Sequence, residues 1–363
     1  MISATKVLRD RRLSLIPLLS CLLLTLGGGS GCERRVSSLE VLSGTTMGTT
    51  WTVKFQRPDC CNSGEAATEL RSSIRAALDA ELEAVNDLMS VFRRKSEISR
   101  FNQSHDSGWI NVSRALAELV AYAQEVHRLS GGSLDVTIGP VIRLWGFGPG
   151  GARRVPSEAE IAAAMARSGG SRLEVRRNPP ALRKKVPELE CNLSSLAKGY
   201  GVDRLSVLLE EQGITDYLVE IGGEMRARGE RHGGGPWHIG VMEPEASGGL
   251  QRVIPLENRS MATSGDYQNY FEVGGIRYSH TMDPRTGRPV THNLASVTVV
   301  ADTCMEADAW ATALLVMGPL PAMALARERK IPAFFIERTV DGYREFMTSA
   351  FRHLLEKNSE GGS

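Results

Sequence analysis

The stretch Tyr270-Phe271-Glu272-Val273-Gly274-Gly275-Ile276-Arg277-Tyr278-Ser279-His280 decides the fold. Two short runs of strand-forming residues, 270–273 and 276–280, flank a Gly-Gly pair, the signal of a tight antiparallel hairpin. The same texture extends to both sides. Strands are predicted at 217–221, 237–242, 252–255, 295–300, 333–337 and 343–348, and near the start at 49–55. Helical spacing lies between them. Leu70, Ile74, Leu78, Leu82, Val85 and Met89 recur in steps of three and four over 65–89. Leu116, Leu119, Val120, Ala123 and Val126 do so over 113–129. A third helix begins at Ser157, where Glu160 completes a capping box, and stops before Gly169-Gly170. A fourth covers about 195–212 and ends at Gly213, and a fifth covers 305–317. Strands and helices do not alternate as βαβ units. The sequence therefore predicts an α+β fold with mixed helices and mainly antiparallel sheet.

Composition narrows the function. The 363 residues carry 43 Lys and Arg against 42 Asp and Glu, a net charge of +1. That balance argues against nucleic-acid binding through a broad basic field. An apolar share of 42% and a charged share of 23% are those of a globular protein, not a disordered one. Six cysteines are too few for a disulfide-built scaffold, and none has C-x-x-C spacing, so a zinc site is not expected. Cys191 and Cys304 stand in apolar contexts and read as buried free thiols. Cys60 and Cys61 are adjacent in a polar stretch, with their redox state open.

The N-terminus reads as an address. Lys6, Arg9, Arg11 and Arg12 precede an uncharged aliphatic run, 13–26, and then Gly27-Gly28-Gly29-Ser30-Gly31-Cys32. Basic, apolar and small-residue regions in this order mark a secretory signal. The Cys after small residues resembles a bacterial lipobox, with Cys32 the lipidated residue, although Gly29 stands where Leu is usual. Cys21 is a rival, and simple cleavage of a soluble exported protein is the plainer alternative. The expected organisation is a signal peptide at 1–31, a lipidated tether at 32–43, a domain at 44–350 and a tail at 351–363. The expected location is the periplasmic side of the inner membrane, held by lipid.

Two segments carry reactive side chains. Asp308 and Thr312 lie four apart on a helix that is otherwise small or apolar, so they share a face. A carboxylate there needs a partner, either a hard cation or a nearby backbone N–H. The loop 279–289 follows a strand and holds His280, a potential general base, and Asp283, which would orient it or bind metal; the plainer reading is an Asp-Pro turn with a surface histidine. Gly222-Gly223 between Glu220 and Glu224 is either a close approach to a ligand or a bulge. The run Gly146-Phe147-Gly148-Pro149-Gly150-Gly151 lacks the Gly-Lys-Ser/Thr ending of a P-loop.

Taken in order, several blocks resemble the FAD:protein FMN transferase, or ApbE, family. They are 44–49, 89–92, 96–102, 132–140, 144–148, 192–203, 219–224, 262–267, 280–289 and 306–312. The resemblance implies an ApbE-like, T-fold-like architecture. It implies an enzyme that uses Mg²⁺, cleaves FAD, attaches FMN through its phosphate to a Thr or Ser of a target protein, and releases AMP. Targets in the family include subunits of Na⁺-translocating NADH:quinone oxidoreductases and related complexes. By position, Asp308, Thr312 and the Ser195 carbonyl would hold the metal, with Ala311 beside it. Met47, Phe92, Ser133, Leu134, Asp135, Asn192, Lys198 and Met282 would contact the flavin nucleotide. His280 would be the base, with Asp283 in the same loop. Lys198 would hold a phosphate or pair with an acidic neighbour. Asn192 stands where Asp is usual, and Ala311 where some members carry Asp. Two other functions fit the same residues: an FAD pyrophosphatase that yields free FMN and AMP, and a flavin-binding lipoprotein without catalysis.

Overall fold

Strands β1 (Leu39–Thr46) and β2 (Thr49–Gln56) pair antiparallel across a tight turn at Met47-Gly48, both with positive φ. They open a computed structural model that describes residues 39–58, 64–242, 244, 250–267 and 269–360. The expected signal segment, Cys21, Cys32, Cys60 and Cys61 lie outside the described residues. Leu39–Ser43, expected as tether, is the first half of a strand.

Trp51, Val53 and Phe55 alternate inward from β2 and are fully buried. Against them lie Ile74, Leu78 and Leu82 of helix α1 (Gly64–Met89). Next come α2 (Glu97–Gln103), β3 (Ile110–Asn111), α3 (Arg114–Leu129), α4 (Gly139–Leu144) and α5 (Glu158–Met165). The capping box at Ser157 and Glu160 forms as expected, and α5 ends at Met165, short of the glycine pair. A small hairpin of β4 (Leu173–Arg177) and β5 (Pro180–Lys184) precedes α6 (Ser194–Glu211).

Five strands follow: β6 (Tyr217–Ile221), β7 (Glu224–Arg228), β8 (Trp237–Met242), β9 (Leu250–Leu256) and β10 (Arg259–Gly265). The predicted hairpin is β11 (Tyr270–Val273) with β12 (Ile276–Ser279), joined at Gly274-Gly275. Two short strands, β13 (Met282–Asp283) and β14 (Arg288–Pro289), close the next loop. The chain ends with β15 (Leu294–Ala301), α7 (Cys304–Met317), α8 (Pro319–Glu328), β16 (Ala333–Thr339), β17 (Gly342–Met347) and α9 (Ser349–Glu360).

The main sheet has the order β1-β2-β6-β7-β10-β15-β16-β17, and every ladder in it is antiparallel. The α+β expectation holds. Val297, Val299 and Phe335 face α3 and α7 on one side. Val300, Phe334 and Ile336 face β8, β9 and Phe351 of α9 on the other. Covered on both faces, β15 is buried from Leu294 to Val300. Phe351 and α9 turn the expected tail into part of the core. Among the described residues no helix is long and apolar enough to cross a membrane.

Helices α6 and α7 touch backbone to backbone at Gly199. A Cβ there would lie 2.4 Å from the Cys304 carbonyl oxygen. Asp203 closes the same contact, its two oxygens accepting the Cys304 and Met305 N–H groups at 2.9 Å each. These are orphan donors of the α7 N-terminus, satisfied from a neighbouring helix. Cys191 and Cys304 are buried free thiols, as expected.

Candidate functional site

The α6–α7 contact creates the central charge cluster. Asp308 on α7 is 3% exposed among alanines, and its Oδ2 accepts the Gly199 N–H at 3.0 Å. In a regular helix that N–H serves the Ser195 carbonyl four residues back, so Asp308 is brought beside it. Lys198 donates to Glu224 Oε2 at 2.6 Å, the acidic partner expected as one of its two roles. The Gly222-Gly223 turn, with φ of +59° and +102°, sets Glu224 at the start of β7 facing α6. A Cβ on Gly222 would lie 2.7 Å from the Thr49 side chain, so the close approach is to protein atoms.

One ammonium thus pairs with Glu224 and lies within electrostatic reach of a second buried carboxylate, Asp308. Burial pushes Glu224 up to about 8, with Lys198 opposing and Asp308 adding to the rise. Burial likewise pushes Asp308 up to about 6, against the pull of Lys198 and the Gly199 N–H. Burial works against the Lys198 ammonium, yet Glu224 and Asp308 together hold its pKa above the ordinary lysine value. One turn beyond Asp308, the Thr312 hydroxyl lies 3.1 Å from the Ser264 hydroxyl on β10. Ala311 between them is fully buried and brings no side-chain donor. Among the described residues no three His, Cys, Asp or Glu side chains converge as a metal cluster. The set offered here is one carboxylate, one hydroxyl and backbone oxygen.

The cluster opens into a cleft of about 150 Å³ lined by Met47, Met89, Phe92, Ser194, Ala197 and Lys198, among others. Asn86 on α1 donates to Thr46 at 3.0 Å and so fixes the Met47 turn at the rim. Phe92 is 69% exposed, a large aromatic face open to solvent. Across Val91 lies a second cleft of about 460 Å³, lined by residues that include Asn102, Arg143, Glu190 and Asn192. Arg143 and Glu190 form a two-point ion pair at 2.7 and 2.8 Å. Asn192 Oδ1 accepts the Ser194 N–H at 2.9 Å, capping α6 where Leu193 cannot.

His280 lies beyond β12. Both its backbone N–H and its Nδ1 lie against the Asn269 carbonyl, at 2.9 and 3.0 Å. A carbonyl only accepts, so Nδ1 carries the proton and Nε2 keeps its lone pair. Burial lowers the His280 pKa, and the Lys198 charge lowers it further. Arg153 donates to the Asn269 side chain at 3.0 Å, and the Phe147 edge packs against the imidazole at 6.3 Å between centroids.

The remaining expected residues lie elsewhere. Asp283 is bound by Arg285 through both oxygens at 2.8 Å, and it does not hydrogen-bond His280. Asp135 accepts from Thr137 and Gly170, and Ser133 donates to the Ser130 carbonyl, so this turn is held by its own bonds. Leu134 and Met282 are buried. Ser133, Leu134, Asp135 and Met282 line neither cleft. Glu224, Asn269 and Ser264 belong with the site and were not assigned to it from sequence. The glycine pair beside Glu224 was its only local signal.

The ApbE family profile matches residues 47–335. The FAD:protein FMN transferase of Vibrio cholerae is 43% identical over 346 residues, covering 94% of this chain and 99% of that protein. The Escherichia coli K12 protein of the same name is 36% identical over 341 residues, covering 90% and 95%. The solved structure of the flavin transferase ApbE from Vibrio cholerae matches with a TM-score of 0.79 at 41% identity, over 87% of this chain and 99% of that one. The apo flavinyl transferase ApbE of Pseudomonas stutzeri also reaches 0.79, at 36% identity over 88% and 97%. Near-complete coverage at these identities, on the sheet and helices that carry the Asp308 cluster, leads to one conclusion: the chain belongs to the ApbE family.

Proposed function

We propose that this protein transfers FMN from FAD to a Thr or Ser hydroxyl of an acceptor protein, with Mg²⁺ held at Asp308. The observation that carries the reading is that Lys198 lines the cleft and its charge acts on both Asp308 and His280, whose Nε2 keeps its lone pair. Asp308 offers a carboxylate, Thr312 a hydroxyl and Ser195 a carbonyl, hard oxygen donors that suit Mg²⁺. Among the described residues the carboxylate receives only the Gly199 hydrogen bond, which leaves acceptor capacity for a cation. When bound, Mg²⁺ neutralises charge on the pyrophosphate.

The chain's own residues do the rest. Met47 and Phe92 offer apolar and aromatic surface to a ring system. Lys198 presents an ammonium to the cleft for a phosphate oxygen. His280 Nε2 accepts the acceptor's hydroxyl proton as its oxygen attacks the phosphorus on the FMN side. The bond from that phosphorus to the AMP oxygen breaks, AMP leaves with the electron pair, and a phosphoester remains.

Incubation with FAD, Mg²⁺ and a Thr-containing acceptor peptide tests the reading. Covalent flavin on the peptide with an equal amount of AMP supports it. Free FMN and AMP alone would make the protein a pyrophosphatase, and bound FAD without AMP a flavin carrier. The leader pattern extends the proposal to export and lipid attachment at Cys32. An acceptor such as a subunit of an Na⁺-translocating NADH:quinone oxidoreductase would then be met at the membrane. Mass spectrometry of the mature N-terminus checks that part.

A further inference from the structure

The segment 96–102 is one of the family-like blocks and lies apart from the Asp308 cluster, at the second cleft. Helix α2 ends there, beside Lys184 of β5, a fully buried lysine. Its ammonium donates to the carbonyls of Asn102, Ser104 and Pro187 at 2.9, 2.8 and 3.3 Å. It also lies 4.9 Å from the Phe101 ring centroid. A buried ammonium is costly unless such acceptors surround it, so these groups hold one another in place. Anchored through its carbonyl, Asn102 turns its side chain to Cys191. Nδ2 donates to the Cys191 carbonyl at 2.8 Å, and Oδ1 accepts the Cys191 N–H at 2.7 Å.

One amide thereby satisfies both backbone groups of Cys191, as a neighbouring strand would. From the other side the Asn192 N–H donates to the Val136 carbonyl at 2.6 Å, and Ile138 bridges to Glu190. Residues 190–192 are pinned on both flanks, and they form a wall of the larger cleft. The same wall leads through Asn192 into the capped start of α6, which carries Ser195 and Lys198.

We propose that Asn102 is a positioning residue for nucleotide binding: with Lys184 behind it, its amide sets the Glu190–Asn192 wall before FAD arrives. The proposal rests on the reading that FAD occupies these clefts. A wall already ordered spares the ligand the entropy of ordering it. Its loss should therefore appear in affinity and not in the chemical step.

Two measurements test this. In Asn102→Ala, the Kd for FAD should rise about 10- to 100-fold, by analogy with the loss when groups that orient metal ligands are removed. The rate of FMN transfer at saturating FAD should stay within about threefold. A folded variant with unchanged Kd, or with loss only in the saturated rate, overturns the proposal. Hydrogen exchange on the unmodified protein decides the matter if that variant does not fold. The Cys191 and Asn192 amides should be protected without FAD. Fast exchange that slows only when FAD is added overturns the proposal. An unmodified protein that binds no FAD defeats the functional reading first. FAD binding by the unmodified protein, matched by Asn102→Ala, defeats this proposal alone.

Discussion

The Asn269 carbonyl accepts a hydrogen bond from His280 Nδ1–H, and burial disfavours the imidazolium. The bond fixes the tautomer with Nε2 unprotonated, and burial, outweighing the upward pull of that bond, keeps the ring neutral at neutral pH. With Mg²⁺ saturating, so that Asp308 stays ionised as its ligand, the acid limb due to His280 should therefore begin only as pH drops below 6.5, the ordinary imidazole value. The sign follows from the lowered pKa: protonation, which removes the base, is reached later on acidification. His280→Asn should bind FAD as before and transfer FMN about 10²- to 10⁴-fold more slowly, without that acid limb. Single-turnover rates across pH check both statements, and a rate within about threefold of the unmodified protein removes His280 from the mechanism. Asp308→Asn keeps the size and the bond to Gly199 but not the charge. It should cut the Mg²⁺-dependent rate by about 100-fold or more, with the thermal transition little changed. Normal Mg²⁺ dependence in that variant would refute the metal assignment.

At the scale of elements, Gly199 is where α6 and α7 are held together. Alanine is the better helix former by about 1 kcal/mol. Here its methyl would sit 2.4 Å from the Cys304 carbonyl oxygen, a backbone atom that cannot rotate away. Overpacking of this kind costs roughly 1–3 kcal/mol, so the clash outweighs the propensity gain. Gly199→Ala should lower the urea midpoint and also the activity, because the Asp308 contact widens. A midpoint above that of the unmodified protein would show that the helices separate freely. The helices and inner strands were legible because their faces are periodic: Ile74, Leu78 and Leu82 on α1, and Trp51, Val53 and Phe55 on β2. Strand β1 was not, because an edge strand buries little, here Leu42 and Thr46. Asp308 with Thr312 was legible because four residues make one helical turn. Glu224 was not, because Lys198 finds it across the fold and no local pattern records such a meeting; Asn269 lies opposite His280 one pair beyond Tyr270 and Ser279 of the hairpin, a placement that follows from the hairpin register and was not drawn from it.

For the molecule as a whole, α9 closes the second face of the sheet. Phe351 is fully buried and stacks on Phe334 with ring centroids 5.6 Å apart. Phe351→Ala should cost about 3–5 kcal/mol, the range for emptying a buried aromatic site. Denaturant melts read the loss directly, and a change below about 1 kcal/mol would mean that α9 is dispensable. Cys304 offers a second readout, since its thiol is sealed between α7 and the sheet. Its labelling by a thiol reagent should accelerate in step with the lost stability.

The two carboxylates around Lys198 have a consequence for the order of binding. One ammonium against Glu224 and Asp308 leaves no surplus positive charge to greet a pyrophosphate. FAD alone should bind weakly, and the cation alone should too. Each supplies the charge that the other lacks, so each should tighten its companion. Linkage requires the two enhancements to be equal, whichever ligand is titrated first. Calorimetric titrations of FAD at several fixed Mg²⁺ concentrations, and of Mg²⁺ at several fixed FAD concentrations, should return one common factor greater than one.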